Sequence, residues 1–220
     1  MLETGRDPLA KYRAKRDFAK TPEPPGVEGE SGEQTIFVIQ KHRASRLHYD
    51  FRLEVNGVLK SWAVPKGPSL NPVDKRLAMA VEDHPIEYAD FEGVIPDREY
   101  GAGAVIVWDI GFYRNTTEKH GKPVSADEAI RDGHIRFTLV GTKLRGGFAL
   151  TRTGIGKPER WILVKTRDQD ADVTGDIIAQ EPRSALTGRT LEEVAAETKA
   201  TATGLLIAHR NTGLGAFSTA

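Results

Sequence analysis

The chain of 220 residues contains no cysteine. That excludes disulfides and thiolate metal sites, and it fits a reducing compartment. No apolar run approaches the ~18 residues that a membrane-spanning helix requires. Nor is there an apolar stretch near the N-terminus of the kind a secretory leader carries. Net charge is also missing: 31 basic residues balance 31 acidic ones, so the total gives no sign of a polyanionic partner. The hydrophobic content of 39% is enough for a substantial core, most simply one domain with extensions. The expectation is a soluble, bacterial-type cytoplasmic protein.

The distribution of charge says more than its sum. Residues 41–76 carry eight Lys/Arg against three acids, and 143–167 carry seven against one. Acids gather at 82–99 and again beyond 168. Such segregation can set a positive surface beside a site, although charge runs are more often solvated faces.

Three regions are expected: an arm at 1–33, a barrel at 34–170, and a linker or tail at 171–220. In the arm, Leu9 to Ala19 reads as a short basic helix, ended by Thr21-Pro-Glu-Pro-Pro-Gly. Val27 to Gln34 reads as a loop. Short alternating runs then predict strands at 35–41, 47–55, 58–64, 76–83, 103–109, 134–140, 146–152 and 160–166. Asn56-Gly57 is a tight-hairpin signal between two of them. Helices are expected at Ser125 to Arg131 and Thr190 to Ala200. The fold class is therefore mainly β: a small, closed or nearly closed antiparallel barrel with a helical N-terminal arm and a helical C-terminal tail.

The densest chemistry lies between positions 36 and 52. Alternation along a strand puts His48, Asp50 and Arg52 on one face and Leu47, Tyr49, Phe51 and Leu53 on the other. Gln40 and His42 project together from the preceding strand. Two imidazoles and a carboxylate suit Mn²⁺, Zn²⁺ or Fe²⁺ and leave positions open for substrate and water. Arg52 adds a fixed positive charge on the same face, which points to a phosphate. The competing structural reading makes these polar residues of a half-solvated strand.

Two further runs are less decisive. On a strand, Arg76, Ala78, Ala80, Glu82 and His84 would share one face, the alanines leaving room for a substrate. His84 could then serve as a fourth ligand, a phosphate donor or a general acid. Lys66, in Pro65-Lys66-Gly67, reads more simply as a solvated turn lysine. Glu99-Tyr-Gly-Ala-Gly103 matches no phosphate loop, and the absence of Lys-x-Asp-Gly removes support for a nucleotidyltransferase site. On pattern alone the reading stops at a metal-dependent phosphoryl hydrolase.

Several separated motifs resemble the 3′-phosphoesterase domain of bacterial DNA ligase D. They are Lys15-Arg16-Asp17-Phe18, Thr21-Pro22-Glu23-Pro24, Phe37 to His42, Leu47 to Leu53, Trp62 to Gly67, Glu82-Asp-His-Pro85 and Glu99 to Gly103. The likeness runs in order over about 10–170, and Glu181 to Glu193 looks like the linker leading to the ligase domain. The resemblance implies a barrel that removes a 3′-terminal ribonucleoside and then the remaining 3′-phosphate, with Mn²⁺ favoured. It implies His42, His48 and Asp50 as metal ligands, and Arg52, His84 and Arg76 as phosphate contacts. Gln40, Lys66, Glu82 and Tyr88 would line the pocket, and Arg16, Asp17 and Glu23 would bring the arm into the site. The partners it implies are DNA 3′ ends and the ligase, polymerase and Ku components of end joining, with a monomer acting near the nucleoid. Two other classes compete: a non-haem iron oxygenase using His48, Asp50 and His84, and a DNA-end-binding module without catalysis.

Overall fold

The computed structural model describes residues 7–26 and 35–197. The first hairpin pairs β1 (Ile36–Arg43) with β2 (Leu47–Val55), and β2 continues into β3 (Val58–Val64) through Asn56-Gly57. Both turn residues have positive φ, 51° and 77°, as a two-residue hairpin matched to strand twist requires. The chain then forms β4 (Arg76–Ala80), β5 (His84–Pro85) and β6 (Gly93–Ile95), with a 3₁₀ turn at Ile86–Tyr88. Next come β7 (Gly103–Asn115), the small hairpin β8 (Glu118–Lys119) and β9 (Lys122–Pro123), β10 (His134–Gly141), β11 (Arg145–Gly154) and β12 (Arg160–Lys165).

Eight strands close the barrel in the order β1-β2-β3-β4-β12-β11-β10-β7, and β7 pairs back with β1. Its interior holds Phe37, Ile39, Tyr49, Phe51, Leu53, Trp62, Trp108, Phe137, Phe148 and Trp161. A one-residue slip of β1 or β2 would turn that set outward, at about 1.5–3 kcal/mol per large side chain. The interior thereby sets the register of the outward face. Leu47, expected among the inward residues, lies at the hairpin end and is 42% exposed.

A second core covers part of the outer wall. Tyr12 from α1 (Ala10–Ala14) packs with Val38, Leu59, Tyr88, Phe91, Ile95, Val105 and Val107. The arm is anchored by the Tyr12 hydroxyl, which donates to the Pro24 carbonyl at 2.6 Å. The arm helix is shorter than expected: after Lys15 the chain turns, with the Asp17 carbonyl accepting from Lys20 and Thr21 amides. The expected loop at 27–34 lies outside the described residues.

Two strands depart from expectation for physical reasons. The strand expected at 76–83 stops at Ala80, and His84 rejoins β3 four residues later. Ala80 faces Trp62 and His84 faces Leu59, so four steps on one side match three on the other. This extra residue flips the faces. Ala78 is therefore a core residue, and the alanine face opens into the barrel rather than onto a pocket. The strand expected at 103–109 continues to Asn115 because Gly111 is a close approach of strands. A Cβ there would sit 2.2 Å from the Val140 carbonyl oxygen.

α2 (Ala126–Asp132) is capped by Ser125, whose hydroxyl accepts from the Glu128 amide at 3.1 Å. After a short α3 (Ile177–Gln180), a helix at 191–197 packs Leu191 and Val194 against Ala104 and Ile106 of β7. Residues 181–197 thus lie on the barrel, whereas 198–220 fall outside the described residues. Among the described residues no helix is long and apolar enough to cross a membrane.

Asp109 holds the 142–144 turn to β7. Its carboxylate accepts from the amides of Ile110, Thr142, Lys143 and Leu144 at 2.8–3.0 Å. Asp109→Ala leaves these donors unpaired in a buried place, so a loss of about 3 kcal/mol or more is expected. Urea denaturation that returns wild-type stability would remove this role.

Candidate metal centre and anion pocket

His42 and His48 are directly opposite in the β1–β2 register, as are Gln40 and Asp50. One outward patch of a single hairpin therefore gathers both imidazoles and the carboxylate, as strand alternation predicts. The Asp50 Oδ2 lies 3.5 Å from His42 Nδ1 and 3.6 Å from His48 Nε2. All three ligand atoms fall within 4.8 Å of one another. Coordination bonds of about 2.0–2.2 Å place ligand atoms of one ion roughly 3–3.5 Å apart, so the two Asp50–imidazole distances suit a shared cation and the widest separation would narrow around one.

The outer ring nitrogens strengthen that fit. His42 Nε2 is 2.8 Å from the Gly101 carbonyl and His48 Nδ1 is 3.0 Å from the Arg46 carbonyl. A carbonyl only accepts, so those nitrogens carry hydrogens, and the other nitrogen of each ring donates to Asp50 when protonated or offers a lone pair to a cation when neutral. Backbone carbonyls fixing the tautomer of an imidazole are the usual support of a metal ligand. The His-His-Asp group can hold a metal ion.

Beside it sits a buried arginine. The Arg52 side chain is 3% exposed, and its guanidinium donates from Nε to Gln40 Oε1 at 2.9 Å and from Nη1 to Ser61 Oγ at 2.7 Å. Its Nη2 lies 3.4 Å from Asp50. Gln40 in turn donates to the carbonyls of Tyr88 and Phe91. Burial disfavours the Asp50 charge, but Arg52 and the two imidazoles prevail and hold its carboxyl well below the ordinary carboxylate range. Burial also works against the His48 cation, yet Asp50 raises its pKa above the ordinary 6.5.

From the arm, Arg16 reaches the same cavity of about 410 Å³, which His42, His48, Asp50, Arg52, Glu82, His84, Tyr88 and Tyr100 also line. Arg16 pairs with Glu23 at 2.9 Å, approaches Glu82 at 3.4 Å and lies against the Tyr12 ring. Glu23 also accepts from the Tyr88 hydroxyl at 3.0 Å and from Thr21 at 2.8 Å. His84 has Nδ1 2.9 Å from the Glu82 carbonyl, two residues earlier, so its Nε2 lone pair faces Arg16 Nη2 at 3.3 Å. Burial, then Arg52 and Arg16, push the His84 pKa well below 6.5. It is a neutral imidazole between two guanidinium groups.

Five of the expected site residues fall outside the cavity wall: Gln40 and Glu23 stand behind it, holding Arg52 and Arg16, and Arg76, Lys66 and Asp17 lie elsewhere. The face flip in the β4–β5 segment separates Arg76 from His84, and Arg76 instead pairs with Asp74 at 2.9 Å. The expectation that Arg76 and His84 share one face is corrected accordingly. Lys66 is exposed on the turn after β3. Asp17 pairs with Lys20 at 2.8 Å and shapes the turn that returns Glu23 to the site. Lys15, Ser61 and the Gly101 carbonyl join the site without a sequence signal. Lys15 bridges Glu82 at 2.9 Å and the Tyr100 hydroxyl at 3.0 Å.

These features define a β-barrel protein with a His-His-Asp group that could hold a metal ion, set beside buried guanidiniums. The chain belongs to the DNA ligase D 3′-phosphoesterase domain family, whose model matches residues 40–152. It is 50% identical over 189 residues to the multifunctional non-homologous end joining protein LigD of Pseudomonas aeruginosa, covering 84% of this chain and 22% of that protein. The LigD of Mycobacterium tuberculosis is 46% identical over 164 residues, covering 74% of this chain and 20% of that one. The LigD of Mycolicibacterium smegmatis is 47% identical over 165 residues, with shares of 74% and 21%. The chain thus spans about a fifth of these relatives' length.

The depressed His84 pKa has a signed consequence. The unfolded chain binds a proton near pH 6.5 that the folded site resists, so the contribution of His84 is present above that pH and lost as pH falls. The stability difference between wild type and His84→Gln should therefore narrow between pH 7 and 5, by up to about 1.4 kcal/mol per pH unit. Parallel stability curves for the two proteins would contradict a buried, neutral His84.

Proposed function

We propose that this chain is a metal-dependent 3′-end-processing phosphoesterase acting on DNA in end-joining repair. It removes a 3′-terminal ribonucleoside and then the 3′-phosphate, leaving a 3′-hydroxyl. The observation that carries this reading is one cavity in which His42, His48 and Asp50 converge beside Arg52 and Arg16. The family relationship supports the repair setting and the ester-hydrolysing class.

The proposed ligands are His42 through Nδ1, His48 through Nε2 and Asp50 through Oδ2, and Mn²⁺ suits this mixed donor set. When bound, a divalent ion supplies Lewis-acid chemistry and a more acidic water. Arg52 and Arg16 bind the phosphoryl oxygens and stabilise charge that grows on them, in a place where water is scarce. Gln40 fixes Arg52, while Glu23, itself held by the Tyr88 hydroxyl, fixes Arg16, so neither guanidinium needs to reorganise. His84 accepts a hydrogen bond from Arg16 and orients it; donating to a leaving oxygen would first require that it gain a proton. Glu82 and Lys15 define the far wall.

In this reading the arm, including Asp17 as the turn that returns Glu23, belongs to the same functional unit as the barrel. Lys66 and Arg76, off the cavity wall, are assigned to more distant backbone phosphates. DNA binding should then be salt-sensitive and nearly indifferent to base sequence. The proposed partners are DNA 3′ ends, the ligase and polymerase modules, and Ku, with the chain itself acting as a monomer. The oxygenase alternative as drawn on His48, Asp50 and His84 is less favoured, because His84 is engaged by Arg16 and Ser61 and buried arginines beside the group suit a phosphate-bearing substrate.

The test is a primer–template ending in one ribonucleotide, incubated with the protein and Mn²⁺. The expected products appear in sequence, a 3′-phosphate and then a 3′-hydroxyl. His42→Ala and Asp50→Ala should abolish both steps, and Arg52→Ala should slow them by about 10²–10³-fold. Ends left untouched by the wild-type protein under any divalent metal would sink the assignment. Binding without product would favour an end-binding module, and oxygen uptake with Fe²⁺ and a 2-oxo acid would favour an oxygenase.

A further inference from the structure

Along one edge of β7 there is a gap between strands. β6 pairs only as far as Val105, and β10 begins at Gly111. On the other edge, β1 skips a residue within this gap: Ile39 faces Asp109 and Gln40 faces Val107, leaving Trp108 as the extra residue of a bulge. A bulge bends a strand and re-aims its side chains. Here it lies immediately before Gln40 and His42, the residues that hold Arg52 and contribute to the metal-binding group.

The backbone exposed in the gap is satisfied from two sources. The Val107 amide donates to Glu92 Oε1 at 2.8 Å, and the Val107 carbonyl accepts from the Ala185 amide at 2.8 Å. The side chain of Glu92 is only 4% exposed, and segment 184–189 closes over it. Glu92 accepts from Ser184 Oγ, from Thr187 Oγ1 at 2.6 Å, and from Arg189 Nη2 at 3.3 Å. Leu191 and Val194, 0% and 2% exposed, fasten the continuation of this segment to Ala104 and Ile106.

Glu92 also stands in the middle of a stretch that feeds the site from both directions. The residue before it, Phe91, offers its carbonyl to Gln40. After it, β6 leads to the turn whose Gly101 carbonyl holds His42. We propose that residues 184–194 are a strap that positions the active site through Glu92, holding the bulge and the 88–101 stretch in the arrangement the ligands need. Glu92 is a positioning residue that touches neither substrate nor metal. The inference rests on the reading of His42, His48 and Asp50 as the metal centre.

Two full-length variants test it. Leu191→Asp with Val194→Asp unfastens the strap by its apolar side; Thr187→Ala with Arg189→Ala removes two of its bonds to Glu92 and leaves the barrel sequence intact. Hydrogen exchange reports release of 184–194, a Mn²⁺ titration followed by electron paramagnetic resonance reports affinity, and steady-state cleavage of a 3′-phosphate primer–template reports kcat and KM. On release, Mn²⁺ affinity should fall about tenfold, as loss of outer support around a metal does, and kcat should fall while KM holds. Free exchange of 184–194 with Mn²⁺ affinity and kcat within twofold of wild type would overturn the proposal. Continued protection in both variants would overturn it too, because the named contacts would not be the anchors. If the double-Asp protein fails to fold, the alanine pair decides by the same readings. A wild-type protein that neither binds Mn²⁺ nor cleaves would instead defeat the metal-centre reading itself.

Discussion

The rest of the site depends on the β1–β2 register. Because His42 stands opposite His48 and Gln40 opposite Asp50, one hairpin presents the His-His-Asp group and the partner of Arg52 on a single face. Phe37, Ile39, Tyr49, Phe51 and Leu53 on the reverse face enforce that register from within the barrel. Stability and chemistry are thus two faces of one hairpin, and a slip that disturbed either would disturb both.

Charge balance explains why the arm has to be part of the same body. Arg52 and Arg16 are buried almost completely, and two unpaired guanidiniums so close together would be costly. Asp50 answers the first, Glu23 and Glu82 the second, and His84 stays neutral between them. Lys15 draws Glu82 toward Tyr100 at the cavity mouth. Without the arm, Glu82 and Tyr88 would lose their partners and the wall would lose Tyr12 from its outer core. A cavity held this way is pre-organised, because its buried charges are already matched.

Most of the barrel was legible in the residue pattern, since alternation, Asn56-Gly57 and Ser125 each act locally. Alternation also sufficed for His48, Asp50 and Arg52, which share a strand without interruption. It failed at Arg76 because one additional residue between Ala80 and His84 reverses the faces, and nothing in a period of two announces an insertion. The length of β7 was missed because Gly111 marks a close crossing of strands rather than an end. Backbone acceptors such as the Gly101 carbonyl have no sequence signature at all. The docking of 184–194 was hidden in a stretch whose polarity reads as a linker; its few apolar anchors, Leu191 and Val194, become meaningful only against Ala104 and Ile106.

Anomalous diffraction from crystals soaked in Mn²⁺ addresses the central claim most directly. A single strong peak should lie within coordination distance of His42 Nδ1, His48 Nε2 and Asp50 Oδ2, with Arg52 and Arg16 facing it across the cavity. Manganese bound elsewhere, with these three side chains unliganded in a crystal that retains the hairpin, would contradict the account.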